Sequence, residues 1–211
     1  MAVALTAGDV LGDAPVIPVI VLDDPELAAP LARALLAGGI RMLEVTLRTP
    51  RALDCIAAIA RDVPEAIVGA GTLRCAADAS AARRAGARFG VSPGFTPAIG
   101  RACQELALPL VPGVATSSEI LAATEAGFRA LKFFPAMQAG GMALLKAWQG
   151  PFGDIVFCPT GGIHAGNAAD FLALDNVACV GGSWLVPADA LAARDWPRIT
   201  ALAREACALR G

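Results

Sequence analysis

Short apolar runs alternate with longer amphipathic stretches along this 211-residue chain. The runs are Val16–Leu22, Met42–Leu47, Ala66–Ala70, Arg88–Val91, Leu110–Val111, Ala130–Phe134, Ile155–Cys158 and Val177–Val180. Their midpoints lie roughly 20–26 residues apart, too far for hairpins and right for strand–helix–strand units. Between them, Pro25–Ala37 carries Leu27, Leu31, Ala34 and Leu35 at helical spacing and stops at Gly38-Gly39. Ala76–Ala85 stops at Gly86, and Thr116–Ala126 opens on Thr-Ser-Ser-Glu and stops at Gly127. Such Ser/Thr entries and Gly exits are the chemistry of helix ends. Eight strands alternating with helices predict a single-domain parallel barrel, a (β/α)8 TIM barrel over residues 1–211, small for a fold that usually spans about 200–250 residues. The final helix, Pro197–Leu209, is expected on its outside. A doubly wound open sheet is the competing architecture. It calls for a strand–GxGxxG–helix near the start, and Val16–Leu22 is followed by Asp-Asp-Pro instead.

Strand alternation singles out two charged residues. In Arg41–Arg48, Leu43, Val45 and Leu47 share the face that suits a helix layer. Met42, Glu44, Thr46 and Arg48 share the opposite face, the interior of a barrel. An interior carboxylate is costly unless paired or used. In Ala130–Pro135, Leu131 and Phe133 face one way, Lys132 and Phe134 the other. Only two of the seventeen basic residues are lysines, Lys132 and Lys146, so a lysine inside a strand needs its own reason. Desolvation lowers a lysine pKa and makes it a Schiff-base nucleophile. A structural ion pair between Glu44 and Lys132, a pairing of Glu44 with Arg48, or a lysine snorkelling from the strand end is the plainer reading of the same residues.

Glycine pairs follow the last two strands, in Cys158–Ile163 and Val180–Trp184. Barrels often bind phosphate in these two loops through backbone N–H groups, and glycine permits close approach. Ser183 adds a hydroxyl donor. Thr72, after the third strand, is placed to bond a polar ligand, and Pro93, after the fourth, to shape an apolar wall; each is otherwise plain turn chemistry.

Composition narrows the chemistry. Hydrophobic residues are 56% and charged residues 17% of the chain, too apolar for disorder. The longest apolar run, Ala14–Leu22, is interrupted by two prolines and falls short of the roughly 20 residues of a membrane span. With a net charge of −2 and no basic patch, nucleic acid is not an expected partner. One histidine, His164, and no tyrosine exclude a histidine-rich metal site and a tyrosine acid. His164 is read as a loop residue without a role. The six cysteines include no CxxC pair and read as buried free thiols of a reducing cytoplasm. Met1–Ala7 shows no basic segment of a secretory signal.

The ordered set Val16–Val21, Leu43–Thr49, Val68–Thr72, Ser92–Gly94, Leu131–Ala136, Phe157–Ile163 and Gly181–Pro187 closely resembles the bacterial KDPG/KHG aldolases, nearly end to end. These are the 2-dehydro-3-deoxy-phosphogluconate and 4-hydroxy-2-oxoglutarate aldolases. The resemblance implies a class I aldolase on a (β/α)8 barrel, a cytoplasmic homotrimer of carbohydrate metabolism that takes a phosphorylated 2-keto acid and needs no cofactor or metal. It implies Lys132 as the imine-forming residue and Glu44 as the general acid/base. Arg48 and Thr72 would bind the pyruvate-end carboxylate, Pro93 and Phe134 line the pocket, Thr160 lie beside the intermediate, and Gly161, Gly162 and Ser183 hold phosphate. Met137 stands where well-known members carry an acidic residue and is assigned no function. Three other readings are a pyruvate aldolase with a different aldehyde preference, a barrel epimerase or isomerase, and a non-catalytic sugar-acid-binding barrel.

Overall fold

A computed structural model of the chain describes residues 5–209, so the first four residues of Met1–Ala7 and the last two of the 1–211 unit lie outside the description. Each parallel strand is followed by helix, as the spacing predicts, except that β6 follows β5 directly. Helix α1 (Ala7–Gly12) precedes β1 (Val16–Ile20), α2 (Pro25–Ala37), β2 (Met42–Thr46), α3 (Ala52–Asp62), β3 (Ile67–Gly71), α4 (Ala76–Arg84), β4 (Gly90–Val91) and α5 (Pro97–Glu105). Then come β5 (Leu110–Val111), β6 (Gly113–Val114), α6 (Ser117–Glu125), β7 (Ala130–Phe133), α7 (Gly141–Trp148), β8 (Val156–Pro159), α8 (Ala168–Leu172), β9 (Val180–Gly182), α9 (Ala188–Ala192) and α10 (Trp196–Cys207).

The strands pair in the order β5-β4-β3-β2-β1-β9 and β6-β7-β8. Two features close these arcs into one ring. Strands β5 and β6 are halves of a single pass: β5 pairs with β4 and β6 with β7. Pro112, between them, has no N–H to give a ladder, but its carbonyl accepts the Lys132 N–H at 2.8 Å. On the other side, parallel bridges Phe157↔Val177 and Thr160↔Gly181 tie β8 to β9. The fold is a TIM barrel. The fifth strand thus runs past Val111 to Val114, and the last begins at Val180, three residues after the start of its apolar run, because Val177 holds only an isolated bridge to Phe157.

The hydrophobic core has two parts. Outward side chains, among them Leu43, Val45, Leu131 and Phe133, pack under the helices. Behind β7, Trp148 of α7 meets Phe133 edge-on at 5.1 Å and stacks with Phe157 at 5.4 Å. Helix α10 lies outside against α2, where a Cβ on Gly38 would stand 2.4 Å from that of Ala203. Inside the barrel, Ile17, Met42, Ile67, Phe89, Val91, Val111 and Ala130 form a second cluster. Val10 and Leu11 of α1 close it from below. The sequence pattern predicts no element there, because six residues are too few for a periodicity. A capping box supplies the signal instead, with Thr6 and Asp9 bonding each other's backbone N–H groups.

Candidate active site

The apolar plug fills the N-terminal half of the barrel, and a polar layer sits above it. Glu44, Thr46, Lys132 and Thr160 are buried there. Strand alternation brings Glu44 and Lys132 inside, 88 residues apart in sequence, with Lys132 Nζ 3.2 Å from Glu44 Oε1. Only 3% of Glu44 and 5% of Lys132 is exposed, so solvent screens the pair little. A Cβ on Gly71 would stand 2.2 Å from Glu44 Oε1, so β3 must end in glycine for the carboxylate to fit. Lys132 Nζ also lies 5.4 Å from the centre of the Phe134 ring. Thr46 donates its hydroxyl to the Ile20 carbonyl at 2.9 Å and ties β2 to β1 at the mouth.

Above this layer opens a 240 Å³ pocket. Arg48, Phe134, Thr160, Gly161, Gly162 and Ser183 line it, joined by Val19, Val21, Ile163, Gly181 and Gly182. Lys132 lies one layer beneath, since Phe134 is the next residue on its inward face. Arg48 Nε donates to Thr72 Oγ1 at 3.3 Å. Thr72 holds a φ of +62°, a left-handed conformation that is uncommon for a β-branched residue and costs of the order of 1–3 kcal/mol. Gly161 and Gly162 have φ of +101° and +76°. Their carbonyls accept from the Met137 N–H at 3.2 Å and the Asn167 side-chain amide at 3.1 Å. Such positive φ values favour glycine, which adopts them without a Cβ clash.

Nine of the ten residues singled out from sequence thus converge, with Thr72 reached through Arg48. Pro93 lines a separate 230 Å³ depression with Leu73, Arg74 and Glu119. Val19 was missed, although the alternation in β1 puts it inward, level with Glu44. Met137 is 48% exposed and lies across Gly162, where a Cβ would come within 2.6 Å of its Cγ. His164 sits in the loop, its Nδ1 accepting the Gly166 N–H. Among the described residues, no three His, Cys, Asp or Glu side chains converge as a metal site.

The cysteines divide by surroundings. Burial pushes the Cys55 and Cys103 thiols up to about 11. Contrary to the expectation of buried thiols, Cys75 is exposed at the N-cap of α4 and Cys207 is half-buried at the end of α10. Cys158 is the register partner of Lys132 across β7 and β8. A hydrogen bond from Cys179 holds its thiol below the usual range, helped by the Lys132 charge.

The fold and site together define a parallel barrel with a buried lysine–carboxylate pair beneath a glycine-lined mouth. The chain is a member of the KDPG and KHG aldolase family, whose model matches residues 8–202. It is 53% identical to the KHG/KDPG aldolase of Escherichia coli K12 over 201 residues, 95% of this chain and 94% of that one. Among solved structures it superposes with TM-score 0.94 on the KDPG aldolase of Legionella pneumophila, which holds pyruvate captured at low pH as a covalent carbinolamine intermediate. That chain is 46% identical, with 96% of this chain and 98% of that one covered. The 2-keto-3-deoxy-6-phosphogluconate aldolase of Zymomonas mobilis ZM4 with 3-phosphoglycerate matches with TM-score 0.92 at 44% identity, over 97% and 96% of the two chains.

Proposed function

We propose that this protein is a Schiff-base aldolase. It cleaves 2-dehydro-3-deoxy-6-phosphogluconate to pyruvate and D-glyceraldehyde 3-phosphate, and 4-hydroxy-2-oxoglutarate to pyruvate and glyoxylate. The observation that carries this reading is the buried contact between Lys132 Nζ and Glu44 Oε1 at 3.2 Å. A carboxylate at that distance is within reach of the lysine's proton, and so can release the free amine that attacks C2 of the keto acid. Loss of water from the carbinolamine gives a protonated imine, an electron sink that needs no metal or other cofactor. Glu44, through a water, returns protons as the carbinolamine collapses, then takes the C4 hydroxyl proton. The C3–C4 bond breaks, the aldehyde leaves, and the pyruvate enamine is reprotonated and hydrolysed.

The other residues bind and orient. Arg48, steadied by Thr72, presents a guanidinium fork to the carboxylate. Phe134 and Thr160 flank the imine. The Gly161–Gly162 loop and the Ser183 hydroxyl receive the phosphate. The chain acts as a single catalytic domain over residues 1–211 and as a cytoplasmic homotrimer, which light scattering on the purified protein tests.

The deciding experiment treats the protein with pyruvate and borohydride, then maps its peptides. One reduced adduct on the peptide holding Lys132 is expected. An adduct confined to Lys146, or none, overturns the reading. An epimerase or a binding barrel would form no such adduct.

A further inference from the structure

The barrel interior holds a second pair of reactive groups that the aldolase chemistry leaves idle. Between the two bridges that close the ring, β8 advances three residues, Phe157 to Thr160, while its partner advances four, Val177 to Gly181. The extra residue is a bulge. In the Thr160↔Gly181 frame, Cys158 therefore stands opposite Cys179. Both point inward: a Cβ on Gly181 would come within 2.2 Å of Thr160 Oγ1, which shows that this face of the two strands converges. Cys158 and Cys179 are 5% and 0% exposed and belong to the inner cluster. Their thiols hydrogen-bond each other. Neighbouring strands run about 4.7–4.9 Å apart, inside the range of roughly 4.4–6.8 Å that Cα atoms span across disulfides.

We propose that Cys158 and Cys179 are an oxidisable dithiol, and that hydrogen peroxide converts them to a disulfide that displaces Lys132 and arrests turnover. The Cys158 thiolate attacks the peroxide, forming a sulfenic acid and releasing hydroxide. The Cys179 thiol then attacks that sulfur, an S–S bond forms, and water leaves. Two thiols are oxidised and one peroxide is reduced to two waters. Cys158 is the entry point, because it lies directly beneath Thr160 in the pocket wall and beside the Lys132 ammonium, the electropositive setting in which thiolates react. Cys55 and Cys103, pushed up to about 11, remain thiols under the same conditions. Closing a hydrogen-bonded contact to a bond of about 2.05 Å draws the inner faces of the two strands together. Lys132 is paired to Cys158 in register and moves with it. Misplacing a catalytic group by about 1 Å can cost 10²-fold in rate.

The effect on turnover rests on the assignment of Lys132 as the imine-forming residue; the cross-link does not. The test uses the full chain carrying Cys75→Ser, which removes the exposed thiol, treated with dilute hydrogen peroxide. Digestion without reductant should yield one linked peptide pair joining Cys158 to Cys179. Pyruvate trapping by borohydride should fall by about 100-fold and return after dithiothreitol. With Cys179→Ala added, the linked pair should vanish and the peptide of Cys158 should carry added oxygen instead. Absence of the linked pair in the Cys75→Ser chain overturns the proposal, and so does a linked pair with unchanged trapping. Reduced protein that traps no pyruvate would refute the aldolase reading, while the linked peptide would still support the dithiol, or its absence overturn it.

Discussion

Replacing Lys132 with methionine keeps the length of the side chain and leaves the Glu44 carboxylate buried without its cation. Breaking a buried pair in this way typically costs about 3–5 kcal/mol. Urea denaturation should therefore find Lys132→Met destabilised by about that amount, and the double variant with Glu44→Gln should recover much of it. If both variants match the parent, the contact between Lys132 and Glu44 contributes nothing to stability. Ser183 tests the other end of the pocket. It is exposed at the mouth, remote from the reacting carbons. A hydrogen bond to a charged group contributes about 1.5–3 kcal/mol, so Ser183→Ala should lower kcat/KM for the phosphorylated substrate by roughly 10–150-fold. Cleavage of 4-hydroxy-2-oxoglutarate, which has no phosphate, should hardly change. Equal losses on both substrates would move Ser183 to the keto-acid end.

Among the elements, β2 and β7 deliver the reactive pair and their neighbours hold it in place. The residues on either side of Lys132 in β7, Leu131 and Phe133, are buried under the helices, and Trp148 packs on Phe133. That outward packing fixes where the inward lysine points. Strand β3 works by omission, since Gly71 makes room for the Glu44 carboxylate. Gly71→Ala should push that carboxylate off the lysine. General acid–base help is typically worth about 10²–10⁴-fold, so kcat should drop by a factor in that range. Overpacking should cost about 1–3 kcal/mol in stability. Steady-state kinetics beside a melting curve separate the two effects; a stable variant with unchanged kcat would show that Glu44 need not occupy this position.

For the molecule as a whole, the barrel divides into an N-terminal half that is packed and a C-terminal half that reacts. Leu11 of α1 is 1% exposed and seals the packed half. Leu11→Ala should cost about 2–5 kcal/mol of stability, the usual range for a buried leucine. Because the plug lies below the polar layer, kcat at a temperature where the variant stays folded should remain within about twofold. A large fall in kcat without loss of stability would mean that the two halves are coupled.

The alternation of apolar runs and helices predicts strand–helix–strand units, because strand and helix periods differ and each leaves its own mark on the sequence, and it favours the barrel over an open sheet that the closing bridges then exclude. Within a strand, a period of two assigned Glu44 and Lys132 to the interior before any contact was known. Local chemistry likewise marked the glycine loops and the opening of α6, whose capping box joins Thr116 and Glu119. What pattern alone left open was the partner of each group. Glu44 had Arg48 or Lys132 to pair with, and the structure chose Lys132, turning Arg48 toward Thr72. Pro112 splitting one strand between two neighbours, the plug of α1 and the pairing of Cys158 with Cys179 were equally silent. Each depends on how strands that are distant in sequence register around a closed ring, and a local pattern carries no term for that distance.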